Sequence, residues 1–330
     1  MNQPPVRSDM EESLVLNAIL DSSGKKIFLK DLQSITGLER GIIKRCIENL
    51  RESGIDIDGR GGFSIDNLPD IVNTPVVLCG LKSRILGRNV FSYKRIGSTN
   101  ETAQRLAESG APEGTLVVAD RQTRGRGRLG RKWHSPPGLG LYFSLVLRPI
   151  ISLDLLPGLS LVAALSLCRV IERLDNLHPQ IKWPNDCLID SQKAAGILTE
   201  ISAELDRIDY AVMGIGINVN HQKKDFPLNL RSRSTSLALK TGVRQNRAGF
   251  LREFLFEFEK DYHNFVRYGI RFMGRALVER SSVLNRRITV RFGRKKFTGT
   301  AIGFDQNGAL RLKTKDGVTT VSAGEVTLRR

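Results

Sequence analysis

The chain carries the stretch RQTRGRGRLGRKW at residues 121–133, in which six of 13 residues are cationic and three are glycine. Like charges at this density repel one another unless an anion neutralises them. Glycine lets a backbone approach a phosphate closely, successive N–H groups can form an anion-binding nest, and arginine adds planar, paired donors for carboxylate or phosphate. The stretch therefore predicts a loop that binds an anion.

Two predicted strands frame this loop, TLVVAD at residues 115–120 and LGLYFSLVLRP at residues 139–149. The glycines fit neither GxxxxGK[ST] nor a GxGxxG that opens a helix, which excludes a P-loop and a Rossmann dinucleotide site. The alternative is an arginine- and glycine-rich flexible tail that binds RNA without specificity. Such tails are usually terminal and repetitive, whereas this stretch is internal and single.

Strands and helices mix without a strict βαβ rhythm across residues 69–282, the predicted central domain, which favours an α+β class over a Rossmann sheet. Residues 69–75 are predicted to be a linker at its start. The predicted strands span residues 116–119, 141–147, 187–189, 195–200 and 210–219, and the predicted helices span residues 99–109, 157–176 and 247–268.

Residues 1–68 form a predicted N-terminal domain of three helices and a hairpin, with Leu14 and Ile35 among the residues expected to face inward. A helix, a glycine turn and a helix with outward basic side chains predict a helix-turn-helix, whose second helix enters the major groove, and the hairpin predicts a wing. The alternative is a three-helix interaction module, which acidic Glu39 and Glu48 favour. The predicted DNA-binding residues are Arg40, Lys44, Arg45 and Arg60.

Residues 283–330 form the predicted C-terminal domain. Short stretches of alternating polar and apolar residues are separated by turns at Gly293, at residues 307–308 and at residues 316–317. Short alternating strands joined by turns are typical of a small β-barrel.

Charge favours anionic partners, because 51 Lys and Arg face 34 Asp and Glu for a net charge of +17. Residues 1–70 nevertheless hold 9 basic and 12 acidic residues, a net of −3, so DNA binding there depends on pattern rather than on bulk charge. Four cysteines without a CxxC pair indicate a reduced cytoplasm and argue against a zinc site. The apolar stretch at residues 159–171, interrupted by polar residues, is predicted to be too short and polar to span a membrane.

Four motifs occur in a fixed order: GRGRLGRKWHSPPG at residues 125–138, KWPND at 182–186, KAAGILTE at 193–200 and GIGINVN at 214–220. Together they resemble the biotin–protein ligase family, and the two flanking domains resemble its bifunctional bacterial members, the biotin operon repressors. The resemblance implies a class II synthetase-like central sheet and an SH3-like C-terminal barrel. It also implies joining of biotin to AMP with ATP, then transfer of biotin to a lysine of the carboxyl carrier protein of acetyl-CoA carboxylase.

The resemblance assigns roles to individual residues. The implied catalytic residues are Lys193, Arg126, Arg128 and Asp186, with Asp186 also a candidate Mg²⁺ ligand. The implied biotin-binding residues are Ser98, Thr99, Asn100, Gln122, Arg126, Gly127, Arg128, Lys193 and Gly196. The implied residues for ATP and the adenylate are Arg128, Arg131, Trp133, Asn185, Asn218, Glu325 and Arg329.

Plainer interpretations stay open for several of these residues. Ser98 fits a simple helix N-cap, Lys193 a solvated lysine at a strand end, Asp186 a loop turn and Trp133 core packing. The family's tryptophan against adenine, expected after GIGINVN, has no counterpart, because the only tryptophans are residues 133 and 183.

The resemblance further implies that residues 125–128 belong to a loop that orders over biotin and the adenylate. We expect the adenylate-bound chain to form a homodimer and to repress biotin genes by binding operator DNA with two half-sites. The alternatives are a lipoate-type ligase and a catalytically weak, ligand-sensing transcription factor.

Overall fold

The computed structural model describes residues 7–22, 24–175, 177–204 and 207–328. Three helices come first, and a mixed α/β region and a five-stranded antiparallel sheet follow. The helices are α1 Arg7–Asp21, α2 Leu29–Thr36, α3 Arg40–Glu52, α4 Thr74–Leu78, α5 Thr99–Glu108, α6 Leu156–Glu172, α7 Leu237–Thr241, α8 Arg247–Tyr268 and α9 Gly274–Glu279. The strands are β1 Val90–Tyr93, β2 Leu116–Ala119, β3 Gly140–Leu147, β4 Gln180–Lys182, β5 Asp186–Ile189, β6 Gln192–Glu204, β7 Arg207–Asn218, β8 Arg287–Phe292, β9 Lys295–Phe304, β10 Leu310–Thr314, β11 Gly317–Val321 and β12 Glu325–Leu328.

The central sheet has seven strands in the order β1-β2-β3-β7-β6-β5-β4. Strands β1 and β2 are parallel and the other neighbours are antiparallel, so the sheet is mixed, as the α+β prediction requires. All eight residues of β3 are buried, because helices cover both faces. Phe143 packs edge-on against Phe254 of α8, whereas Val146 belongs to a cluster with Ala103 and Ala107 of α5.

One helical stretch in the described part of the chain, Leu153–Glu172, is long and apolar enough to cross a membrane. The predicted apolar stretch, residues 159–171, is part of this longer helix, so the prediction underestimated its length. Its most apolar window is nevertheless 67% buried inside the fold. Its residues pack in the main core with α8 and the central sheet, which is typical of the core helix of a folded domain.

The C-terminal strands pair in the order β11-β10-β9-β8-β12. Their apolar residues, including Ile288, Leu310 and Val326, belong to the same core as the central sheet. The indole Nε1 of Trp183 also donates to the carbonyl oxygen of Gly308 at 3.1 Å. The closed SH3-like barrel and the three domain boundaries stay predictions.

Helices α1, α2 and α3 pack around a second core that contains Leu16, Leu32 and Ile43. Gly37 ends α2 in the left-handed conformation, with φ 69°, and α3 begins three residues later. The two arms of the predicted hairpin meet at a single bridge, Asp58 with Ser64, and a second bridge joins Phe63 to Ile27, which precedes α2. The winged helix-turn-helix stays a prediction.

Two details of that segment differ from expectation. Leu14 is 49% exposed and Ile35 is 63% exposed, so neither faces inward as predicted. The predicted linker also has structure, because α4 begins at Thr74 and Asn73 caps it by accepting from Val76 N at 3.1 Å.

Candidate active site

A cavity of about 630 Å³ lies where the loop of residues 121–133, the strand ends of the central sheet and the start of β12 meet. Every described residue that the resemblance assigns to biotin or the adenylate lines it, whereas Arg329 lies outside the described residues. The structure thus brings together side chains that are more than 200 positions apart in the sequence. Their individual roles stay predictions.

The first turn of α5 supplies one polar wall. Ser98 occupies the N-cap position, but its hydroxyl makes no capping hydrogen bond, so the simple cap does not account for it. Both the backbone N and the hydroxyl of Thr99 donate to Oε1 of Gln122, at 2.9 and 3.1 Å. Ser98 and Thr99 are only 2–3% exposed, so hydroxyl groups of this wall are held inside the protein.

Asn100 completes this wall with partners that the sequence did not indicate. Its Nδ2 donates to Oε2 of Glu200 at 2.7 Å, and its Oδ1 accepts from the hydroxyl of Ser144 at 2.6 Å. A Cβ on Gly214 would lie 1.9 Å from that Oδ1, so only glycine leaves room for the amide. A serine within the apolar strand β3 was the available signal for Ser144.

The loop is closed on itself at its base. Arg126 and Lys132 form an antiparallel bridge, and Trp133 N donates to Gly125 O at 2.9 Å. The guanidinium groups of Arg124 and Arg126 both reach the carboxylate of Glu101, at 3.0 and 2.6 Å. Glu101 follows directly after Asn100 and was missed, because no motif marks it.

Arg128 and Arg131 attach the loop to the far side of the cavity. Arg128 donates to Oδ1 of Asn185 at 3.0 Å and to the carbonyl oxygen of Gly324 at 3.1 Å, and Arg131 pairs with Glu325. Burial lowers the pKa of Arg128, an effect that the nearby carboxylates partly offset. A partly desolvated guanidinium gains more from an anion than one in water, so Arg128 is a strong candidate anion ligand.

Lys193 extends from β6 into the cavity. Its Nζ lies 2.6 Å from Oδ1 of Asp186 and 5.2 Å from the ring centre of Trp133. The lysine side chain is 33% exposed, so it is not the freely solvated strand-end lysine of the plainer interpretation. Trp133 lies on Gly196 and Gly216, where a Cβ would come within 3.1 and 2.4 Å of its ring.

Asn185 and Asn218 bond main-chain groups around the cavity. Asn185 Nδ2 donates to Ile197 O at 2.7 Å, and Asp186 begins β5 rather than sitting in a free turn. Asn218 is 5% exposed and its Nδ2 donates to Thr235 O at 3.0 Å. Both amides therefore fix the backbone that carries the charged groups.

An aromatic pair stands in the segment where the family's tryptophan was expected. Phe226 lines the cavity and stacks on His221, with ring centres 5.0 Å apart and planes 16° apart. Burial lowers the pKa of His221 to about 4, with a smaller effect of His134. A neutral imidazole therefore backs Phe226 at neutral pH.

The four predicted DNA-binding residues lie elsewhere. On α3 the exposed residues are Arg40, Lys44 and Arg45. Arg60 lies between the bridged residues Asp58 and Ser64, and its side chain is 96% exposed. Arg60 also lies 3.5 Å from Asp58, so its charge is partly compensated.

Comparison with known proteins places this arrangement in one class. Residues 92–218 match the "Biotin/lipoate A/B protein ligase family", and residues 283–329 match the "Biotin protein ligase C terminal domain". A mixed sheet with a basic loop over its cavity and a C-terminal antiparallel sheet thus defines a biotin or lipoate ligase class.

Full-length relatives narrow the class. The chain is 38% identical to "Bifunctional ligase/repressor BirA" of Bacillus spizizenii over 93% of both chains, and 27% identical to the protein of that name from Escherichia coli over 91% of this chain and 92% of the relative. It also matches the structure "Biotin protein ligase from Aquifex aeolicus in complex with biotin and ATP", with TM-score 0.64 and 34% identity, over 74% of this chain and 99% of that one. The chain therefore belongs to the biotin protein ligase family.

Proposed function

We propose that this chain activates biotin with ATP and transfers it to a lysine of a carboxyl carrier protein, that of acetyl-CoA carboxylase. The observation that carries the proposal is that buried hydroxyls and an amide meet Lys193 and Arg128 in one cavity. The hydroxyls and the Asn100 amide suit a ureido ring, which both donates and accepts hydrogen bonds. The cations suit a carboxylate and a phosphate side by side.

The first step brings two anions together. A biotin carboxylate oxygen bonds to the α-phosphorus of ATP as the bond to pyrophosphate breaks. Fixed cations lower the repulsion between the two anions, and they stabilise the charge that builds on the phosphorus oxygens. Lys193 and Arg128 are the residues proposed for this, and Asp186 keeps the lysine ammonium in the cavity before the substrates bind.

The second step uses the carrier lysine. Its neutral amine attacks the biotinyl carbonyl carbon, the bond from that carbon to the phosphate oxygen breaks, and AMP leaves as the new amide nitrogen gives one proton to the departing phosphate. The loop at residues 121–133 is proposed to exclude water from the mixed anhydride until then. Its contacts on both sides of the cavity, with Glu101 and with Glu325, support this role.

Asp186 is proposed to hold Mg²⁺ when ATP is bound. The described residues contain no cluster of three or more His, Cys, Asp and Glu side chains for a metal. A single carboxylate still suits Mg²⁺, which is often bound by one or two carboxylates together with substrate phosphates. The ion would add positive charge to the phosphates.

Phe226 is proposed to take the place of the absent tryptophan against adenine. Its position on the cavity wall and its stacking on His221 support this, because a fixed aromatic ring offers a flat face to a base.

The activity is tested by exchange of radiolabelled pyrophosphate into ATP. We expect exchange that requires biotin and is not supported by lipoate, followed by labelling of a carrier domain. Exchange with lipoate alone would favour the lipoate-type ligase, and exchange with neither would favour the ligand-sensing transcription factor.

A second function, repression of biotin genes in the cytoplasm, is favoured by α3 and by the relatives named ligase/repressor. We propose that the adenylate-bound chain dimerises and binds operator DNA through Arg40, Lys44, Arg45 and Arg60. Binding to the organism's own biotin-gene promoter should tighten with biotin and ATP. Lys44→Ala should reduce the magnitude of the slope of log affinity against log salt concentration by about one. Lys313 is exposed on β10, and Lys313→Ala should leave that slope unchanged.

A further inference from the structure

The first turn of α8 faces two parts of the molecule at once. Asn246 caps this helix by accepting from Gly249 N at 2.7 Å. The next two residues are both buried: Arg247 is 3% exposed and Ala248 is 1% exposed. Ala248 belongs to the core of the N-terminal helices, whereas the Arg247 side chain runs to the base of the active-site loop.

Arg247 holds both ends of that loop. Its Nη1 donates to Oδ1 of Asp120 at 2.7 Å and to the carbonyl oxygen of Gly140 at 3.1 Å. Asp120 immediately precedes residue 121, and its Oδ1 also accepts from Gly138 N at 3.0 Å. One guanidinium therefore fixes the incoming and outgoing segments of the loop.

The same guanidinium binds the chain that leads out of the N-terminal helices. Arg247 Nε lies 3.0 Å from Oδ2 of Asp70, and its Nη2 donates to the main-chain oxygen of Asp70 at 2.8 Å. The backbone N of Arg247 also donates to Oδ1 of Asp70 at 3.0 Å. Asn220, in the GIGINVN motif, donates to the same carboxylate at 3.1 Å.

The N-terminal helices are attached directly to this region. Oδ1 of Asn17 on α1 accepts from Gly80 N at 2.9 Å, just after α4. Arg252, one turn along α8 from Ala248, donates to the carbonyl oxygen of Val76 at 2.7 Å. The start of α8 and helix α4 are therefore both in direct contact with the N-terminal helices.

We propose that Arg247 is a positioning residue that couples ligand-dependent ordering of residues 121–133 to helices α1–α3. The inference rests on the proposed function for the ligands that order the loop. Releasing either carboxylate from this buried guanidinium would break an ion pair and its hydrogen bonds, so the loop base and the segment around Asp70 are expected to move together. Coupling of this kind acts in both directions.

The test is hydrogen–deuterium exchange of the full chain, with and without biotin plus ATP. In the wild type we expect the ligands to slow exchange both in residues 121–133 and in α3. In Asp70→Asn, which keeps the shape but removes the charge, we expect slowing in residues 121–133 and its loss in α3. Arg247→Lys, which keeps the charge but cannot bridge both carboxylates, should show the same loss.

Arg244→Gln is the matched control, because Arg244 also contacts the carboxylate of Asp70, at 3.5 Å, but its side chain is 62% exposed. It should keep both responses, since exposed ion pairs contribute little. A ligand response in α3 that survives in both Asp70→Asn and Arg247→Lys overturns the coupling, as does a wild type that responds only in residues 121–133. A wild type that responds nowhere overturns the proposed function and the coupling together.

Discussion

The ammonium nitrogen of Lys193 lies 2.6 Å from a carboxylate oxygen of Asp186, and both side chains line the proposed active-site cavity. The lysine charge is thus compensated before any substrate binds. Substrate anions must draw the ammonium away from Asp186. A bound cation would make that easier by occupying the carboxylate.

Lys193→Ala should reduce biotin-dependent pyrophosphate exchange at least about 100-fold. Removing one donor aimed at developing charge typically costs a factor of this size. Lys296→Ala, an exposed lysine on β9, is the control and should keep wild-type exchange. Equal rates for Lys193→Ala and the wild type would remove Lys193 from the reaction.

Arg128→Ala should impair carrier labelling more than Arg126→Ala. Arg128 is partly desolvated and spans from Asn185 to Gly324, whereas Arg126 is 55% exposed and already paired with Glu101. We expect at least about tenfold loss of kcat/KM for Arg128→Ala, because hydrogen bonds of charged groups are worth about 1.5–3 kcal/mol. A larger loss for Arg126→Ala would reverse the roles that the geometry supports.

Gly214→Ala should raise the KM for biotin at least about tenfold, because a methyl group there would displace the Asn100 amide. Loss of a buried hydrogen-bonding group costs about 1–3 kcal/mol. Gly274→Ala, where a Cβ meets nothing within 4 Å, is the matched glycine control and should bind biotin normally. Normal biotin binding by both variants would exclude Asn100 as a biotin ligand.

Strands that are apolar throughout and long helices with a regular apolar face were predictable from local pattern. Strand Leu116–Ala119 and helix Arg247–Tyr268 were predicted with the observed bounds. Strands Val90–Tyr93 (VFSY) and Gln180–Lys182 (QIK) were missed, because they mix polar and apolar residues over too few positions to show a period, whereas Leu116–Ala119 (LVVA) is apolar throughout. Ile35 was misplaced because an apolar residue near a helix end carries little information about which way the helix packs.

For the site, too, residues in contiguous motifs were predictable from the sequence, whereas contacts between residues distant in the sequence were not. Loop arginines and Lys193 lie in contiguous motifs, so the sequence identified them. Glu200 lies at the end of one such motif, but its bond to Asn100 joins residues 100 positions apart. Arg247 was missed for a similar reason: its partner Asp70 is 177 positions away, and no local pattern distinguishes a buried arginine at a helix start from an exposed one.

The pKa of His221 predicts how stability depends on pH. Burial lowers this pKa from 6.5 to about 4, so between these values the unfolded chain binds a proton that the folded chain does not. The free energy of unfolding should therefore fall as the pH falls from about 6.5 to about 4, by roughly 3 kcal/mol from this group alone. The stabilising effect is fully present above pH 6.5.

His221→Gln should remove this component. We expect the variant to be less stable than the wild type at pH 7, because it lacks the stacking of His221 on Phe226. This difference in stability should shrink towards pH 4. Urea unfolding at several pH values measures the free energy of unfolding. The control is His263→Gln, an exposed position, whose free energy of unfolding should depend on pH as that of the wild type does. If the free energy of unfolding of His221→Gln depends on pH as that of the wild type does between pH 7 and pH 4, His221 is not buried in its neutral form. The rigid aromatic wall proposed for adenine then loses its support.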